Sequence, residues 1–191
     1  MIKSQWEENI ILCDADFLDR TTFNLTVNFE RMIARRIPRA DLPHWLDCIA
    51  LDGGLRPSDN RIQVIFIHSA GKNKFENLTP DDFHADLDGK AFRDNLGEFT
   101  MHSFQVEEVV TPADFFIECM QTLADAKEVK RLMVVGDTEQ YGSRLRDICS
   151  QTEGKDITLF SMQPMTGRGF QQELLGYSLM SALGIKGEEL S

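Results

Sequence analysis

Four acidic side chains stand where the chain turns out of apolar runs or into a helix. Asp14 directly follows "IILC", Asp137 and Glu139 follow "LMVVG", and Asp114 lies in "TPADFFIECM". Carboxylates gathered with open positions between them are the hard oxygen ligands that Mg²⁺ or Mn²⁺ takes, because Mg²⁺ keeps several waters and accepts only a few carboxylates directly. An ion held there can activate water and offset the charge that grows on a phosphodiester during cleavage. Each residue also has a structural role open to it. "TPAD" reads as a helix start, with Thr111 as cap, Pro112 in the first turn and Asp114 favoured by the helix dipole. Asp137 can cap the helix after it, with Gln140 three residues on. Asp14 is the hardest to explain as structure, since a carboxylate at a buried strand end is costly unless paired, hydrogen-bonded or metal-bound. Asp16 and Asp19 are read as loop residues facing solvent.

Positioning those residues requires strands that end at one edge. Five apolar runs read as strands, at 9–16, 61–69, 98–109, 131–137 and 156–163, with helical patterns at 22–37, 81–95, 112–127, 140–151 and 169–183. This alternation predicts an α/β fold, a three-layer α/β/α sandwich around a mainly parallel five-stranded sheet. Ligands in such sheets collect beyond the carboxyl ends of the strands. Asp14 ends the first strand and Asp137 the fourth, so they project at the same edge and become neighbours if those strands are adjacent. The expectation is a single domain over 1–191, with elaborations at 38–60 and 72–97 that are each too short to bury a core.

Composition narrows the partners. With 31 Asp and Glu against 20 Lys and Arg, the net charge of -11 opposes nonspecific attraction to nucleic acid or an anionic membrane. The four cysteines are scattered, without a C-x-x-C pair, and three lie in apolar stretches, which fits a reducing cytoplasm. "MIKSQWEEN" has no apolar core of an export signal, and no run approaches the roughly 18 apolar residues of a membrane helix. His44, His68, His84 and His102 show no metal spacing. "TGRGF" at 166–170 lacks the Lys-Ser/Thr of a phosphate loop and reads as a turn before the last helix, whose leucines pack on the sheet or against a second copy in a homodimer.

The order of acidic motifs resembles the NYN branch of the PIN-like nuclease superfamily over roughly residues 9 to 165. "IILCDAD" matches its first strand ending in Asp, "TPADFFIECM" its later helix start, and "LMVVGDTEQ" its G-D-S-D-F strand end. The resemblance implies that Asp14, Asp114 and Asp137 hold one or two divalent ions, Mg²⁺ or Mn²⁺, that Glu139 completes the shell, and that metal-bound water cleaves RNA. The departures are specific. Glu139 replaces an Asp and lengthens the arm by one methylene, and Gln140 replaces the motif's aromatic residue. A PIN-like binding or scaffold module without catalysis is the alternative.

An RNA substrate needs local positive charge. Arg31, Arg35 and Arg39 stand at i, i+4 and i+8, one stripe for as long as the helix persists, though Pro38 ends or kinks it. A solvated face would look the same. Arg144 and Arg146 are weaker candidates. A second enzyme class, the haloacid dehalogenase-like phosphatases, is similar in Asp14 and Asp16 as D-x-D, Ser69, Lys127 or Lys130, and Asp137, but has a carboxylate where Tyr141 stands.

Overall fold

The computed structural model describes residues 5–191, and residues 1–4, where the stretch read as lacking an export signal begins, lie outside the described residues. The first strand, β1 (Asn9–Asp14), is buried from Ile10 to Cys13. Alternation sends Ile11 and Cys13 to one face and Ile10 and Leu12 to the other, so both faces need cover. Asp14 stops the strand and caps α1 (Ala15–Ile33), accepting from the Phe17 N–H at 3.1 Å. The helix therefore begins well ahead of the predicted 22–37 pattern. It also stops sooner, at Ile33, with Ala34 in the left-handed region (φ 57°).

A parallel pair, β2 (Ala40–Asp41) with β4 (Leu78–Thr79), braces the elaborations. Between them come α2 (Leu42–Asp52), with Pro43 in its first turn, and β3 (Asn60–His68). Then follow β5 (Ala91–Asp94), β6 (Gly97–Gln105), α3 (Pro112–Asp125), β7 (Arg131–Val135), α4 (Thr138–Gln151), β8 (Asp156–Ser161), β9 (Gln171–Leu174) and α5 (Leu175–Ala182). The main sheet runs β5-β6-β3-β1-β7-β8-β9, parallel except for β5. Helices α1, α2 and α5 share a core with Ile11, Val64 and Met133, while α3 and α4 cover the other face over Ile10, Ile65 and Val134. The α/β class and the mainly parallel sheet are as predicted.

The sheet has seven strands rather than five. The two extra are edge strands, and an edge strand carries little of the apolar run that marks a buried one. "AFRD" sits in the stretch read as a helix over 81–95, where the chain instead makes one wide turn (Phe83–Leu87) and then β5. "QQEL" falls within the predicted last helix, 169–183, yet it forms β9, and α5 starts only at Leu175. Leu175 and Leu179 of that helix are buried in the core, and Trp45 Nε1 of α2 donates to Ser178 Oγ at 3.1 Å. Among the described residues, no helix is long and apolar enough to cross a membrane.

Candidate functional site

In the sheet β1 lies between β3 and β7, and the chain leaves β1 into α1 on one face but leaves β7 into α4 on the other. Such a divergence opens a crevice at the carboxyl ends of the two strands. A cavity of about 200 Å³ occupies it, lined by Asp14, Asp16, Arg20, Asp137, Gln140 and the residues at the start of α3. The sequence-predicted pair Asp14 and Asp137 thus comes together across adjacent strands.

Tyr141 joins them. Its hydroxyl donates to Asp14 Oδ2 at 2.6 Å and accepts the Asp137 N–H at 2.9 Å. The ring lies on Phe116, and a Cβ at position 136 would fall 2.9 Å from the hydroxyl and 3.0 Å from Phe116, which explains the glycine of the Gly-Asp motif. Asp14 also accepts the Phe17 N–H. Burial raises its carboxyl pKa above the ordinary value, the Tyr141 and Phe17 hydrogen bonds pull it back, the neighbouring Asp16 raises it, and Arg20 lowers it. The Tyr141 hydroxyl is pushed up by burial and by the adjacent Asp14 charge. Asp137 caps α4, accepting the Gln140 N–H at 3.3 Å, and its Oδ2 pairs with Arg20 Nη2 at 2.9 Å.

Asp16 and Asp19 are not loop residues facing solvent. Both lie in the first turns of α1, because that helix starts earlier than its pattern suggests. Asp16 Oδ2 accepts the Ser69 N–H at 3.1 Å, while its Oδ1 is buried without a hydrogen-bond partner. Asp19 is 3% exposed and accepts the N–H groups of Glu76 and Asn77, tying the 72–97 elaboration to the core.

Other predicted residues fall elsewhere. Glu139 lines an adjoining groove of about 280 Å³ with Arg20, Asn24, Asp137 and Gln163. Asp114 turns outward to Arg144 at 2.9 Å, and that pairing, with the Thr111 cap, holds its carboxyl below the ordinary range. Thr111, Pro112 and Ala113 line the crevice, but Asp114 does not. The arginine stripe does not form, since α1 ends before Arg35. Arg31 lies about 25 Å along the helix from Asp14, too far to serve the crevice. Arg35 pairs with Glu189 at 2.9 Å and Arg39 with Asp81 at 3.0 Å. Lys127 and Lys130 precede β7, at the sheet edge opposite Asp14, which removes the lysine of the phosphatase scheme.

Among the described residues, no group of three or more His, Cys, Asp or Glu is arranged to hold a metal ion. Asp14 and Asp137 spend their oxygens on a tyrosine hydroxyl, a guanidinium and backbone N–H groups. An Mg²⁺ or Mn²⁺ ion at Asp14 and Asp137 would share those oxygens with Tyr141 and Arg20. Arg20 and Tyr141 are absent from the sequence expectation. Tyr141 was legible in principle, as i+4 from Asp137, whereas Arg20 required the true start of α1.

No curated protein and no solved structure matches the chain. A family profile does match, over residues 3–190, and the chain accordingly belongs to the family described as "Family of unknown function (DUF6621)".

Proposed function

We propose that the crevice between β1 and β7 is the functional site, and that it serves a PIN-like binding module rather than a hydrolase. One observation carries this reading: the Tyr141 hydroxyl bridges Asp14 and the Asp137 N–H while Arg20 neutralises Asp137, so protein donors hold the strand-end carboxylates. The remaining field is negative, with Asp14, Asp16 and Asp137 against Arg20. It favours a partner protein that presents a basic side chain over a phosphodiester.

A second reading, Mg²⁺- or Mn²⁺-dependent cleavage of RNA, is favoured by Asp16 Oδ1, which is buried beside the same crevice without a partner. It requires Arg20 to release Asp137. The test is a calorimetric titration of Mn²⁺ into the wild-type protein and Asp137→Asn, followed by labelled single-stranded RNA. For a binding module, neither protein takes up Mn²⁺ saturably at millimolar concentrations, and the RNA stays whole. Saturable uptake that disappears in Asp137→Asn, with metal-dependent cleavage, establishes the second reading instead.

A further inference from the structure

The carboxylates of the crevice between β1 and β7 are not equally occupied. Asp14 Oδ1 accepts the Phe17 N–H and Oδ2 the Tyr141 hydroxyl, while Asp137 Oδ1 accepts the Gln140 N–H and Oδ2 pairs with Arg20. Asp16 Oδ2 accepts the Ser69 N–H at 3.1 Å. The remaining oxygen, Asp16 Oδ1, is buried and has no hydrogen-bond partner among the described residues. An acceptor on a charged group left unpaired and out of water is costly, and a ligand donor recovers that cost. The donor must also suit the field, which Asp14, Asp16 and Asp137 make negative against the single guanidinium of Arg20. A cationic N–H donor meets both conditions.

Two features favour lysine over arginine as that donor. A guanidinium binds a carboxylate best through two parallel N–H bonds that use both oxygens, whereas an ammonium is a compact point charge that needs only one. Ser69 already holds Asp16 Oδ2, so a single oxygen is open. The crevice is also small, about 200 Å³, and the Arg20 guanidinium already lies beside it, with Cζ 5.9 Å from the Phe17 ring centroid.

What adjoins the crevice indicates what carries the ammonium. The groove of about 280 Å³ shares Phe17, Arg20 and Asp137 with the crevice, so a ligand can span both. Asn24 and Asn28, one turn apart on α1, line the groove with Gln163, which follows β8, while Leu25 and Met162 add apolar surface. Side-chain amides both donate and accept, which the main chain of an extended segment requires and a free amine does not. We infer that crevice and groove together bind an extended segment of a partner protein, placing a lysine ammonium on Asp16 Oδ1 and its main chain along the amides of Asn24, Asn28 and Gln163. Charge complementarity supports that occupant, since a basic segment meets an acidic crevice on a chain of net charge -11. The inference rests on the reading of the crevice as a protein-binding site.

The test uses the capped peptide acetyl-Ala-Ser-Lys-Ser-Ala-amide as probe, titrated into the full chain and followed by NMR at the Asp16 carboxyl and at the Asn24, Asn28 and Gln163 side-chain amides. Analogues with arginine or Nε-acetyllysine at the centre, and free n-butylamine, run alongside. The expected result is saturable binding that shifts the carboxyl and the amides together. Affinity should fall at least about tenfold for the acetyllysine analogue and for Asp16→Asn, whose oxygen still accepts the Ser69 N–H, as loss of a charge-assisted hydrogen bond requires. The arginine analogue and butylamine should bind more weakly than the lysine peptide. Asn28→Ala, which leaves Asp16 in place should Asp16→Asn not fold, is expected to weaken the peptide but not butylamine. The inference is overturned by no saturable binding of the lysine peptide, by equal binding of either analogue or of butylamine, or by unchanged affinity in the variants. Those outcomes leave the binding-module reading standing, whereas saturable Mn²⁺ uptake with RNA cleavage removes that reading itself.

Discussion

Tyr141 links the ends of β1 and β7, since its hydroxyl serves Asp14 and the Asp137 backbone at once. Tyr141→Phe leaves Asp14 Oδ2 and the Asp137 N–H without their partner in a part-buried setting, so we expect a loss of about 1–3 kcal/mol in urea unfolding. The same change removes a bond that lowers the Asp14 pKa, and an NMR titration of that carboxyl should move further upward. Unchanged stability and titration would mean that the bridge contributes nothing. Asp47 provides a pH-dependent counterpart. Burial, then a hydrogen bond with Asp94, then the charges of Asp94 and Asp41 raise its carboxyl from 3.8 to about 7, and its Oδ1 is buried without a partner. The folded state therefore binds this proton more tightly than the unfolded chain. Its contribution to stability is complete below about pH 4 and is lost as pH rises through about 7. Urea midpoints compared at pH 5 and pH 8 should fall in the wild type, and Asp47→Asn should flatten that fall.

Helix boundaries decide which side chains meet in the crevice. Because Asp14 caps α1, Asp16 and Arg20 fall one turn apart on the same helical face and both reach the crevice lining. At the other end Ala34 takes a left-handed conformation, with its N–H donating to the Glu30 carbonyl at 3.0 Å. That conformation suits glycine better than any residue with a Cβ. Ala34→Gly should raise stability by about 0.5–1 kcal/mol, after the entropy that glycine adds to the unfolded chain. A lower urea midpoint for this variant would contradict the reading of that C-terminus.

Across the whole molecule, acidic charge dominates. With a net charge of -11, self-repulsion opposes the compact state and is screened by salt. We expect Tm to rise between low and physiological ionic strength, and a flat or falling Tm would show that the surface ion pairs, such as Arg61 with Glu7, offset the repulsion. The same charge bears on partners. Arg35 and Arg39 are held by Glu189 and Asp81, so the candidate arginine stripe offers little free positive charge.

The buried strands could be read from residue order, because a strand covered on both faces needs an unbroken apolar run, as in "NIILC" and "RLMVV". The meeting of Asp14 with Asp137 was legible for the same reason, since parallel strands end at one edge. The edge strands β5 and β9 were not, because half-exposed strands can be built from "AFRD" and "QQEL" without a pattern. Nor could spacing foretell what surrounds the carboxylates. Whether an aspartate meets a metal ion, a guanidinium or a tyrosine hydroxyl depends on helices α1 and α4 converging from opposite faces of the sheet, and that convergence is a property of packing in three dimensions.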